Sequence, residues 1–187
     1  NDSAGPLRHS CVMGREMLET FANPAHLAQA AAAAVQAALS AAIAERGAAV
    51  MVATGDRSPA PVYDLLAQAP LDWGSVTVTL SDDRFVAPTS PDSNERLVRD
   101  RLLVAKAASA RFTPLSFDVA NVREAALRAE PEVKALAPYD VMLLGMGEDG
   151  HVASLIPGSP VLDLGMDPRG TRFCLGIPAG VGSPPLA

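Results

Sequence analysis

His151, which follows the pair Asp149-Gly150, is the side chain of this chain best suited to moving a proton near neutral pH. It lies in the stretch Gly145-Met146-Gly147-Glu148-Asp149-Gly150-His151. Gly145, Gly147 and Gly150 allow a sharp turn and close approach to a ligand. A carboxylate beside an imidazole, on a loop at the carboxyl end of a strand, suits proton transfer on a small ligand. Two other polar clusters could serve the same chemistry. In Asp82-Asp83-Arg84 a carboxylate could orient a sugar hydroxyl or a catalytic group. Arg84 could hold an anion or stabilise developing negative charge. A surface ion pair closing a loop would have the same composition. Thr54-Gly55-Asp56-Arg57-Ser58-Pro59 joins a strand to a helix start. Free backbone N–H groups and the helix dipole favour an anion at such a place. Gly55 permits close approach, Arg57 supplies charge and Ser58 a hydroxyl, so phosphate is the natural guest; an ordinary capped turn is the competing reading. His9, His26 and His151 have no partner at metal-ligand spacing, so neither a metal nor a cofactor is expected.

Placing these residues requires strands that end where the clusters begin. Val141-Met142-Leu143-Leu144 is an apolar run that delivers the His151 loop. Val76 to Leu80 alternates β-branched residues and runs into Asp82. Ala48 to Ala53 is a short buried strand that delivers Gly55. Helices are expected between them. Asn23-Pro24 starts the first with a cap and a proline. Leu27, Ala31, Val35, Leu39 and Ile43 mark its apolar face, and Gly47 ends it. Ser58-Pro59 repeats that signal for a helix to about Ala69. Ser93-Asn94 opens another, with Leu97, Leu102 and Leu103 inward. Asn121 to Ala137 forms a fourth. Short strands are expected at Met17–Phe21, Phe112–Phe117 and Arg172–Ile177, and His151–Leu155 opens a helix. Residues 1–16 read as an irregular arm, and 17–187 as one domain. Strands alternating with helices give an α/β fold with a mainly parallel sheet. In such a sheet the three polar loops share one edge, where ligands bind.

The chain has 187 residues, enough for about one domain with a proper core. With 49% apolar and 19% charged residues it should fold. Its net charge of −6 argues against general nucleic-acid binding. No apolar run is expected to cross a membrane, because Gln36, Ser40 and Glu45 interrupt the alanine-rich stretch. Cys11 and Cys174 match no metal or redox spacing and read as reduced thiols. A cytoplasmic location follows from these points.

The combined clusters resemble a known family. Gly145 to Gly158, GMGEDGHVASLIPG, is similar to the G-x-G-x-D-G-H-x-A-S-L-F-P-G signature of 6-phosphogluconolactonases. Ser81-Asp82-Asp83-Arg84-Phe85-Val86 resembles that family's D-E-R-W/F-V segment, and Asp92-Ser93-Asn94 its D-S-N. Thr54 to Pro59 resembles its S-G-G-x-T-P phosphate loop, and Pro61, Tyr63, Leu65, Leu66, Asp72 and Trp73 continue the likeness. The resemblance runs from about residue 17 to the end. It implies a Rossmann-like sheet with helices on both faces. It also implies hydrolysis of 6-phospho-D-glucono-1,5-lactone in the pentose phosphate pathway, without metal, by a monomer or weak homo-oligomer. His151 would be the general base on water. Asp149 or Asp82 would orient that base or the substrate hydroxyls. Gly55, Arg57, Ser58 and Arg84 would hold the 6-phosphate, Asn94 would support Arg84 or touch substrate, and Gly147 would also bind substrate.

Three departures from the family pattern stand out. Asp56 stands at a usual glycine, and Asp83 replaces a glutamate with a shorter arm. The chain ends at Pro184-Pro185-Leu186-Ala187, before the strand and helix elements with which the family continues. Two alternatives share the fold. Glucosamine-6-phosphate deaminases and isomerases carry a glutamate five residues after the histidine, where this chain has Ile156. A non-catalytic sugar-phosphate-binding protein is the other.

Overall fold

The computed structural model describes residues 9–11, 16–55, 58–115 and 119–178. Its main sheet holds four parallel strands: β3 (Ala49–Ala53), β4 (Val76–Leu80), β5 (Arg111–Phe112) and β6 (Val141–Met142), in the order β5-β4-β3-β6. A separate antiparallel pair, β1 (His9–Cys11) with β2 (Glu16–Leu18), precedes it. Among the described residues the α-helices are α1 (Pro24–Arg46), α2 (Ala60–Ala67), α3 (Asn94–Arg101), α4 (Val122–Ala135) and the short α5 (Leu162–Met166). The chain is therefore α/β, as its alternating pattern predicts. From β3 it steps outward through β4 to β5, then returns across the sheet to place β6 on the other side of β3. Right-handed crossovers in opposite directions put their helices on opposite faces. Accordingly α2 packs with α1 and α3 in one layer, while α4 belongs to the return crossover.

Local chemistry explains the elements. The Asn23 side chain accepts from the His26 N–H at 2.9 Å and Pro24 follows it at the first helical position. At the other end Gly47 adopts φ 73° and donates to the Ile43 carbonyl. Ser93 and Asn121 cap α3 and α4 in the same way, through the N–H of Arg96 and Glu124. Strand β4 is buried along its whole length, so its threonines need partners. Thr79 donates to the Thr113 carbonyl at 3.0 Å, and Thr77 accepts from Arg111 Nε at 3.2 Å. Tyr63, Trp73, Leu39, Met51, Leu66 and Leu102 fill the core between the sheet and the α1–α3 layer. Asp140 ties three elements at the sheet's amino edge. It accepts from the Val50 N–H at 2.7 Å and pairs with Arg46 at the end of α1.

Several local expectations are corrected. Residues 9–11 of the supposed irregular arm pair with 16–18, so the strand sought at Met17–Phe21 lies earlier and forms a hairpin. The fully buried residues of α1 are Ala28, Ala32, Val35, Leu39 and Ala42; of the every-fourth row, Val35 and Leu39 are among them, and Ala31 and Ile43 pack half-buried beside the core. Four residues advance a helix by one turn plus about 40°, so that row walks off the core face. Leu27, at its start, is 52% exposed. Ser58 does not cap α2; Pro59 occupies the cap position and no side chain bonds there. Strand β5 ends at Phe112, and residues 116–118 of the longer strand expected there lie outside the described residues. His151–Leu155 is a turn, closed by a Val152–Leu155 bridge with Ala153 at φ 51°, which no right-handed helix contains. Arg172–Ile177 forms no strand, because α4 holds it instead. Arg172 Nε donates to Glu130 Oε2 at 2.6 Å and the Phe173 N–H to Glu130 Oε1 at 3.2 Å. Finally, α1 is long and apolar enough to cross a membrane by length and composition. Its alanines count as apolar despite the three polar interruptions, and the helix packs against α2 and β3.

Candidate active site

The sheet's switch point lies between β3 and β6, where the strand order reverses. Crevices at the carboxyl ends of such strands are where α/β folds bind ligands. A cavity of about 680 Å³ opens there. The Thr54-Gly55 end of β3, the Asp82-Asp83-Arg84 end of β4, Asn94 of α3, and Asp149 with His151 all line it. Leu115, Ala126, Leu144 and Phe173 add apolar lining. Thus Thr54 and Gly55 of the first polar cluster meet the other two clusters at one edge.

The imidazole is held within its own loop. Gly147 N–H donates to the His151 carbonyl at 2.9 Å, Gly150 N–H to the Gly147 carbonyl at 3.0 Å, and Gly150 takes φ 85° to close the turn. Asp149 Oδ1 lies 2.5 Å from His151 Nδ1 and accepts from the His151 backbone N–H at 3.2 Å. The hydrogen bond from the His151 ring, with the backbone N–H and charge behind it, holds the Asp149 carboxyl below the ordinary carboxylate range. An ionised carboxylate only accepts, so Nδ1 carries the hydrogen of this contact, and His151 lines the cavity. Gly147 lies against the ring, and a Cβ there would overlap it.

The other end of the cavity is built on β4 and α3. Asp83 bridges the two: Oδ1 accepts from the N–H of Arg84 at 2.8 Å and of Asn94 at 2.7 Å, and Oδ2 from the Glu95 N–H at 3.2 Å and Ser93 Oγ at 3.3 Å. Burial pushes the Asp83 carboxyl up, against those backbone donors. Arg84 Nη1 donates to Asn94 Oδ1 at 2.8 Å and to the Asp92 carbonyl at 3.2 Å. Asn94 Nδ2 in turn donates to the Asp82 carbonyl at 2.9 Å. The Asn94 amide fills the space where a side chain at Gly55 would stand. Close approach at Gly55 therefore includes Asn94 as well as any ligand.

Of the two candidate carboxylates, Asp149 sits on the ring and Asp82 does not. Asp82 Oδ1 accepts from Ser81 Oγ at 2.9 Å and Oδ2 from Ser154 Oγ at 2.7 Å. Arg57, with Asp56, falls outside the described residues, and Ser58 is exposed and does not line the cavity. The sequence reading passed over Ser154, whose hydroxyl three residues beyond His151 was the available signal. It also passed over Arg172, a second cation on the cavity wall, paired with Glu130. Tyr63 fixes the end of β3. Its hydroxyl donates to the Thr54 carbonyl at 2.6 Å and accepts from the Thr54 N–H at 2.9 Å, and burial pushes its pKa up. Among the described residues no cluster of three or more His, Cys, Asp or Glu side chains could hold a metal ion.

Comparison with known proteins places the site in context. A family model described as "Glucosamine-6-phosphate isomerases/6-phosphogluconolactonase" matches residues 22–179. The chain is 47% identical over 169 residues to a 6-phosphogluconolactonase of Caulobacter vibrioides, covering 90% of this chain and 73% of that protein. It is also 47% identical over 159 residues to one of Pseudomonas aeruginosa, covering 84% and 67%. The crystal structure of a 6-phosphogluconolactonase from Shewanella baltica superposes with a TM-score of 0.72 at 36% identity. That superposition covers 76% of this chain and 62% of the other, so the chain spans about three-fifths of its length.

Proposed function

The chain belongs to the family of glucosamine-6-phosphate isomerases and 6-phosphogluconolactonases, and from that membership we propose that it hydrolyses 6-phospho-D-glucono-1,5-lactone to 6-phosphogluconate. One observation carries the proposal: the His151–Asp149 pair and the Arg84–Asn94 pair line a single cavity from two different strand ends. The first suits an ester carbon, the second an anion held some distance away.

In this mechanism Asp149 accepts the Nδ1–H and holds the ring, so His151 Nε2 faces water as a neutral base. Nε2 takes a proton as the water oxygen bonds to the lactone carbonyl carbon, whose π electrons move to the carbonyl oxygen. Collapse of that tetrahedral intermediate breaks the bond to the ring oxygen, and the imidazolium returns its proton there. The 6-phosphate binds at Arg84 and Gly55, which line the same cavity. Binding there holds the carbonyl in place, converting phosphate affinity into orientation at the reacting carbon. No metal or cofactor enters these steps, and the substrate is a soluble metabolite, consistent with action in the cytoplasm as a monomer or weak oligomer.

A coupled assay of the purified chain with the lactone, run with a chelator present, tests the reading. Turnover is expected in wild type and a loss on the order of a hundredfold or more in His151→Ala. Arg84→Ala should chiefly raise KM. An inactive wild type, or near-normal turnover in His151→Ala, would remove the proposal.

A further inference from the structure

The base and the anion-binding end hang from strands that are not neighbours. His151 follows β6 and Arg84 follows β4, with β3 between them. Two strand spacings separate such loops by roughly 10 Å, and a loop that drifted would change that distance. Among the described residues, the hydrogen bonds of segment 145–158 are local, with one exception. Ser154 Oγ donates to Asp82 Oδ2 at 2.7 Å, across 72 positions of sequence.

Asp82 is well fixed to receive it. Ser81 Oγ occupies its other carboxylate oxygen, and its carbonyl accepts from Asn94 Nδ2, whose amide oxygen in turn holds Arg84. On the other side, Ser154 is three residues from His151 in the turn closed by Val152 and Leu155. Ala153, between them, sits at φ 51°, a left-handed conformation that alanine avoids and that persists only where its surroundings hold it. An anchored neighbour supplies such a hold. The hydroxyl of Ser154 therefore couples the imidazole loop to the Asp82–Asn94–Arg84 network.

We propose that Ser154 is a positioning residue, which through its hydroxyl on Asp82 sets the distance between the imidazole and the anion-binding end. The kinetic part of this proposal rests on the lactonase reading above; the coupling itself does not. Ser154→Ala, Ser154→Thr, Asp82→Ala and the double variant Ser154→Ala/Asp82→Ala form the test, each checked for a wild-type thermal midpoint. Ser154→Ala should lower kcat by about 10- to 100-fold with KM changed less than about threefold, because a misplaced base loses chemistry before binding. Ser154→Thr, which keeps the hydroxyl, should recover most of that loss. The double variant should be no slower than Asp82→Ala alone. Independently of turnover, amide hydrogen exchange across residues 148–156 should speed up in Ser154→Ala and Asp82→Ala alike, with no further increase in the double variant. Multiplying kinetic effects, or exchange in 148–156 that stays at the wild-type rate in Ser154→Ala, overturns the proposal. If wild type proves inactive on the lactone, the exchange measurement alone decides it.

Discussion

Replacing Gly147 by alanine should remove activity while leaving the fold intact. The backbone of Gly147 lies outside the left-handed region, so alanine fits it without strain, and its N–H bond to the His151 carbonyl survives. The added Cβ would stand 2.7 Å from Asp149 Oδ1 and closer still to Cε1 and Nδ1 of the ring. Carbon atoms pack at about 3.5 Å or more, so ring and carboxylate must retreat by roughly 1 Å. The His151 side chain is one-third exposed, so it can swing toward solvent at little cost. A displacement of that size costs on the order of a hundredfold in rate when it moves a catalytic group. Stability should change by less than about 0.5 kcal/mol, as at other surface positions. Coupled assay and thermal melt, run on the same preparation, read both. Gly145→Ala is the matched control, since an added Cβ there meets nothing within 4 Å. Should Gly147→Ala retain kcat within about threefold of wild type, the ring is not acting from the position described here.

Two further outcomes follow from the contacts. Tyr63→Phe strips partners from the buried Thr54 N–H and carbonyl, at about 1–3 kcal/mol for each group left unpaired. At about 2–4 °C per kcal/mol for a chain of this size, the melting midpoint should drop by several degrees; a shift of under a degree would contradict this. Asp149 gives a pH dependence. Its folded-state pKa lies below the ordinary 3.8, so its contribution to stability is present above that value and lost as pH falls through the lowered one. The stability difference between wild type and Asp149→Asn should therefore shrink on acidification below about pH 4. A difference that is constant from neutral pH down to pH 2 would show that the carboxylate gains nothing from the ring.

Much of the scaffold was legible because its signals are local. Caps at Asn23, Ser93 and Asn121 bond N–H groups three residues away, and Gly47 closes a helix through its own φ. Strands β3 and β6 announce themselves by apolar runs and β4 by alternating β-branched residues, and their carboxyl ends carry the clusters at Gly55, Asp82–Arg84 and His151. Where a local signal competed with a distant partner, the partner won. Arg172–Ile177 looked like a strand, but the Arg172 side chain and the Phe173 N–H bond to Glu130 of α4.

By itself, then, the sequence determined that an α/β chain would bring a histidine, a glycine turn and an arginine to the carboxyl ends of its strands. Which carboxylate serves the imidazole was decided only by tertiary structure. Asp149 reaches His151 within its own turn, whereas Asp82 is taken by Ser81 and by Ser154 from a loop 72 positions away. The return of β6 to the far side of β3 brings that loop over the sheet edge. Strand order arises from pairing between segments distant in the chain, and side-chain partners inherit it, so no local pattern of residues encodes them.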